Sequence, residues 1–185
     1  MRLIANVAAV VVLASTAHAH AQTPEAAAPK PPANLVAALE AAGLDPRTKV
    51  EGGSVQVMLG QRAVFHLDAE GMPVLNGVEA GRVDLATAND GGETYKGPGV
   101  GKLAFALDSS PEKRQSIMKV WNGLARPVAY EAEITALRGG QLMKRMATIC
   151  TVPAGGVTHE VWPDPIVSVT LSKFAETPAD KFTCQ

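Results

Sequence analysis

Clustered positive charge is missing from this sequence. Lys and Arg total 17 against 18 Asp and Glu, and no basic run exceeds two residues, as at Lys113-Arg114. A surface that tracks phosphates needs a basic patch or stripe, so no nucleic acid is expected as a partner. The apolar run at residues 3–14 is interrupted by Asn6 and falls well short of the roughly 20 residues that span a bilayer. Aromatic residues are few, at 4% of the chain, which leaves Val, Leu, Ile, Ala and Met to build the core.

Catalytic patterns are missing as well. No G-x-S-x-G elbow occurs, and no Cys-x-x-Cys exists to support redox chemistry. His159-Glu160 is followed by Val161-Trp162-Pro163 rather than by a second histidine. Gly97-Pro98-Gly99-Val100-Gly101-Lys102 fails as a phosphate loop, because Lys96 stands where the first glycine belongs and Leu103 where the hydroxyl belongs. Neither an enzymatic activity nor a cofactor is therefore expected. Asp68, Glu70, Glu131 and Glu133 keep an envelope hydrolase working through paired carboxylates as a remote alternative.

What is present begins at the N-terminus. Arg2, the apolar stretch and the small residues Ala17-His18-Ala19 and Ala19-His20-Ala21 form the charged, apolar and small-residue succession of a cleavable secretory signal over residues 1–21. Two cleavage frames fit, so the mature chain begins at His20 or Gln22. No Cys follows the apolar run, which argues against a lipid anchor. The expected location is periplasmic or secreted, with no membrane span after cleavage. In such a compartment the two cysteines, Cys150 and Cys184, are expected to form a disulfide. Residues 22–33 carry four prolines and no large apolar side chain, the composition of an extended tether.

Residues 34–185 read as a single domain, with 34–100 as a possible small N-terminal lobe. Asn34 opens a short helix that Gly43 closes, with Leu35, Leu39 and Ala42 on the face that docks on a sheet. From Ser54 the pattern changes to strand alternation: Val55, Val57 and Leu59, then Ala63, Phe65 and Leu67, with Gly60-Gln61 as a tight turn between them. After Met72-Pro73-Val74-Leu75, residues 76–101 are rich in Gly, Asn and Asp and read as a long loop. Six further apolar runs follow, starting at Leu103, Ile117, Val128, Leu142, Val157 and Ile166, and separated by turn signals such as Asn122-Gly123 and Pro163-Asp164-Pro165. Short strands at regular spacing, without helical pattern between them, predict an all-β antiparallel sandwich with a short N-terminal helix and hairpin.

The stretch Lys119-Val120-Trp121-Asn122-Gly123-Leu124-Ala125-Arg126-Pro127-Val128-Ala129-Tyr130 resembles the B-to-C strand passage of bacterial immunoglobulin-like domains, in which an Asn ends one strand and a Pro opens the next. Over residues 102–185 the chain is similar to small exported proteobacterial proteins without an assigned function. The resemblance implies an immunoglobulin-like sandwich. Trp121 precedes both cysteines, so the disulfide is not the one that bridges the two sheets in antibody-type domains.

The function expected from these features is a non-catalytic binding or structural module of the cell envelope, with an envelope protein or a glycan as partner. Trp162, at a strand end before Pro163, and Trp121 are the candidate binding side chains. The alternative is a copper- or zinc-handling protein that would unite His66 and His159 with Met58, Met143 or Met146. It requires the strands carrying the two histidines to be neighbours.

Overall fold

A computed structural model describes residues 33–41, 43–83, 95–110, 113–139, 141–178 and 183–184. The expected leader at 1–21 and nearly all of the expected tether lie outside these residues. Among the described residues, no helix is long and apolar enough to cross a membrane.

Helix α1 (Ala33–Ala41) ends where Gly43 takes a left-handed φ of 73°. The Gly43 N–H donates to the Glu40 carbonyl and the Leu44 N–H to the Leu39 carbonyl, the paired bonds that satisfy a helix C-terminus. A helix this short does not persist in water alone. Burial of Leu39 against Met58 and Val167 holds it to the outer face of a sheet.

Ten strands follow: β1 (Lys49–Glu51), β2 (Ser54–Met58), β3 (Gln61–Leu67), β4 (Pro73–Ala80), β5 (Leu103–Ser110), β6 (Gln115–Asn122), β7 (Val128–Arg138), β8 (Gln141–Ala147), β9 (Val157–Trp162) and β10 (Ile166–Glu176). They form two antiparallel five-stranded sheets, in the orders β1-β2-β10-β7-β8 and β4-β3-β5-β6-β9. Alternate residues of each strand point between the sheets, as the period of two requires. Val55, Val57, Phe65, Phe105, Val120, Tyr130, Ile134, Val169 and Leu171 meet there in one core. Full burial of each large apolar side chain contributes about 1.5–3 kcal/mol.

Three expectations change. Gly60 does not turn a hairpin: β2 pairs with β10 and β3 with β5, so the turn carries the chain from one sheet to the other. The hairpins of this region are β1 with β2 and β3 with β4. The segment after Leu75 continues as strand β4 to Ala80, paired with β3 across a bulge at Val64/Phe65. Finally, β3 and β5 are buried on both faces. On the outer face of their sheet, Val64, Ala104, Ala106, Ile117 and Trp121 are covered by Val83 and Tyr95. Residues 49–80 are thus divided between the two sheets and share both with the C-terminal half.

Candidate functional site

Trp121 sits in the covered outer face and is 5% exposed. Tyr95 meets it edge to face at 4.9 Å. The Arg62 guanidinium lies 3.6 Å from the Tyr95 ring centre and 5.1 Å from that of Trp121. One Arg62 nitrogen, Nη1, donates to Glu79 Oε2 at 3.2 Å, while Nε has no partner. A cation desolvated between aromatic faces is attracted by their quadrupoles. The cluster clasps the chain around Tyr95 to the sheet and leaves no open ring face at Trp121.

Trp162, a candidate binding side chain at the end of β9, is 7% exposed and belongs to the main core. The next residues explain its burial. Ser116 Oγ donates to the Asp164 carbonyl and accepts the Ile166 N–H, tying the β9–β10 turn down against β6. Arg138 and Arg145 converge on the Asp164 carboxylate at 2.7 and 3.3 Å. Arg138 first, then Arg145, holds that carboxyl below its ordinary pKa.

The histidines are not brought together. His66 lies on β3 and His159 on β9, with β5 and β6 between them, a lateral separation of about 14 Å at the usual strand spacing. His66 Nδ1 is 3.1 Å from Asn76 Oδ1. Met143 and Met146 lie on β8 in the other sheet and, being three residues apart, point to opposite faces of it. Among the described residues, no group of three or more His, Cys, Asp or Glu side chains could hold a metal ion. Glu131 pairs with Lys173 and Glu133 with Lys144, so these carboxylates form separate surface ion pairs.

A cleft open to solvent lies where β7 and β8 separate. Their ladder stops at the pair Ala132 and Ala147 and resumes as an isolated bridge between Val128 and Val152. Three residues of β7 (129–131) there face four of the other segment (148–151), so the strands part by one residue in the manner of a bulge. A cleft of about 260 Å³ opens in this gap, lined by Tyr130, Glu131, Met146, Ala147 and Ile149. Tyr130 is buried, its ring 5.0 Å from Phe105, and its hydroxyl has no hydrogen-bond partner. Burial, with a smaller contribution from the Glu160 carboxylate, pushes its pKa far up, so the hydroxyl keeps its proton and remains a donor.

Glu160 points inward from edge strand β9 beside this region. Its Oε1 accepts the Cys150 N–H at 3.4 Å, and desolvation raises its pKa above the ordinary carboxylate value. Cys150 is also fixed from the other side by a disulfide to Cys184. Thr151 adds a hydrogen bond from its N–H to the Thr183 carbonyl at 2.9 Å. The wall of the cleft that contains Ile149 is thereby anchored covalently one residue further on.

Fold and site together define an all-β sandwich with an apolar cleft on its β7–β8 flank. Comparison of the chain with family models, with curated proteins and with solved structures gives no match. The sequence reading named neither Tyr130 nor Glu160 as site residues. Tyr130 shows only as one more apolar position in an alternating strand, and the signal that marks the place, a break in register between two strands, is not written in either strand alone.

Proposed function

We propose that the chain is an exported, non-catalytic binding module of the cell envelope, built on an immunoglobulin-like sandwich and engaging an envelope protein through the β7–β8 cleft. The cleft, lined by Tyr130, Glu131, Met146, Ala147 and Ile149, carries this reading. A mostly apolar lining suits a protein side chain better than a glycan, whose hydroxyls would lose hydrogen bonds to water there.

Two observations support the immunoglobulin-like frame. The chain crosses from one sheet to the other between β6 and β7, where β6 ends at Asn122 and β7 opens directly after Pro127. Asn122 organises the crossing: its Nδ2 donates to the carbonyls of Arg126, Val152 and Pro153, and its Oδ1 accepts the Leu124 N–H. Export is supported by the disulfide, because such bonds persist in oxidising compartments.

The test is photocrosslinking in intact cells from a benzophenone amino acid at position 146, beside the cleft, with position 100 as control because Val100 is 97% exposed and distant in sequence. A processed periplasmic chain giving an adduct from 146 alone is the expected result. Retention of the unprocessed chain in the cytoplasm, or no adduct from 146, would overturn the proposal.

A further inference from the structure

We infer that edge strand β9 joins a second copy of this chain, pairing with its own equivalent about a two-fold axis at His159, so that the sheet ending in β9 runs on into its counterpart. This surface shares no lining residue with the β7–β8 cleft and does not rest on the reading of it.

The hydrogen-bond phase of β9 gives the first argument. β9 pairs with β6 antiparallel in unbroken register, from Ser116 opposite Trp162 to Trp121 opposite Val157. Among the described residues, no strand lies on its other side. One place beyond Trp121, the Asn122 N–H donates to the Gly156 carbonyl at 2.9 Å. Bonded and non-bonded pairs alternate along an antiparallel ladder, so Thr158, Glu160 and Trp162 bond β6. The N–H and C=O groups of Val157, His159 and Val161 then point to the free edge. An axis at His159 sets Val157 opposite Val161 of the second copy and His159 opposite its own equivalent. All three become bonded pairs, and the edge completes itself.

The other three sheet edges carry devices that block such pairing. β1 has only three residues. β4 opens at Pro73 and is bulged at Asn76, which has no partner between Val64 and Phe65 of β3. β8 presents Lys144 and Arg145. β9 has six residues, with no Lys, Arg or Pro and no bulge, and its outward Val157 and Val161 are 49% and 40% exposed.

Charge selects the occupant. Glu160, the carboxylate of β9, points inward, and a strand that set an apolar side chain opposite it would desolvate that charge without compensation. In the two-fold register Glu160 meets the hydroxyl-bearing Thr158 of the second copy, and no carboxylate faces another. The two valines meet each other. Self-complementary two-fold contacts of this kind are the commonest in soluble oligomers.

The test combines sedimentation equilibrium with residue-resolved amide exchange on the purified oxidised chain, at mildly alkaline pH where imidazole is neutral. Mass is expected to rise with concentration to twice that of one chain, and the N–H groups of Val157, His159 and Val161 to become protected over the same range. Val157→Lys combined with Val161→Lys sets like charges opposite each other and should weaken the dimer at least roughly ten-fold. Val74→Lys, on the β4 edge, should leave it unchanged. A single-chain mass at every concentration would overturn the inference, as would a dimer that tolerates both lysines or leaves the three N–H groups open to exchange. Protection of these groups in the single chain would overturn it too, because another segment of the chain then covers the edge. The cleft reading is judged separately, by the adduct from position 146.

Discussion

Cys150 and Cys184 stand directly opposite each other in an isolated antiparallel bridge, their α-carbons 3.9 Å apart. Beside them, the side-chain hydroxyl of Thr151 donates to the Thr183 carbonyl at 3.1 Å, so residues 183–184 are held against Cys150 and Thr151.

The cysteines are 34 positions apart in sequence, and closing such a loop stabilises the fold by roughly 3–4 kcal/mol on the chain-entropy model. Cys184→Ser, or reduction of the wild type, is expected to lower the urea midpoint accordingly, and reductant should have no further effect on the variant. Equal midpoints with and without reductant would remove the disulfide from the stability of the domain.

Asn122 is 2% exposed and serves three carbonyls and one N–H. Asn122→Ala strands these groups at the sheet crossing, and unsatisfied buried groups cost about 1–3 kcal/mol each where water cannot replace the partner. A loss of at least about 2 kcal/mol in equilibrium unfolding is expected, against less than about 0.5 kcal/mol for a surface change such as Val100→Ala.

Gly81 donates its N–H to the Gly60 carbonyl. A β-carbon added at Gly81 would fall onto the Gln61 backbone, which no side-chain rotation can relieve. Gly81→Ala should therefore destabilise by at least the roughly 1–3 kcal/mol of an overpacked site, read as a lowered melting temperature. Gly139→Ala gives the contrast: its added β-carbon meets nothing within 4 Å, and only its φ of 56° resists the change.

Two carboxylates act with opposite signs on the pH dependence of stability. Burial raises the Glu160 pKa from its ordinary 4.5, so the folded state favours the protonated form. Its contribution is present at low pH and is lost as pH rises through the raised value. Arg138 and then Arg145 lower the Asp164 pKa, so its contribution is present above the ordinary carboxylate range and lost as pH falls through the lowered value. Glu160→Gln should flatten the decline of stability on the neutral side, and Asp164→Asn the decline on the acid side. The second effect is the smaller in salt, because both arginine side chains are about half exposed or more. Melting curves across pH that are superimposable on wild type for both variants would refute the assignment.

The sandwich was legible because its central strands obey one rule. Val128, Tyr130, Ala132, Ile134 and Ala136 alternate inward without exception, and each is buried. Gly43 marked the helix end, and two cysteines admit one intramolecular pairing. Other features depend on partners distant in sequence. Arg62 is 6% exposed because Tyr95, more than thirty residues later, covers it. Residues 76–101 read as a long loop, yet Asn76 and Gly77 run through the middle of β4 because β3 supplies a long partner. Gly60 looks like a hairpin tip, and nothing within residues 54–67 shows that β2 pairs with a strand more than a hundred residues later.

That late pairing fixes the order in which the domain can form. Strand β10 lies between β2 and β7, and it is the last strand among the described residues. Until residues 166–176 are available, β2 has only three-residue β1 beside it and β7 only β8. Within this sheet the non-local contacts that reward loop closure therefore arrive with β10. In a chain delivered N-terminus first, this sheet stays split in two until β10 appears, and the Cys150–Cys184 bridge can close only after that.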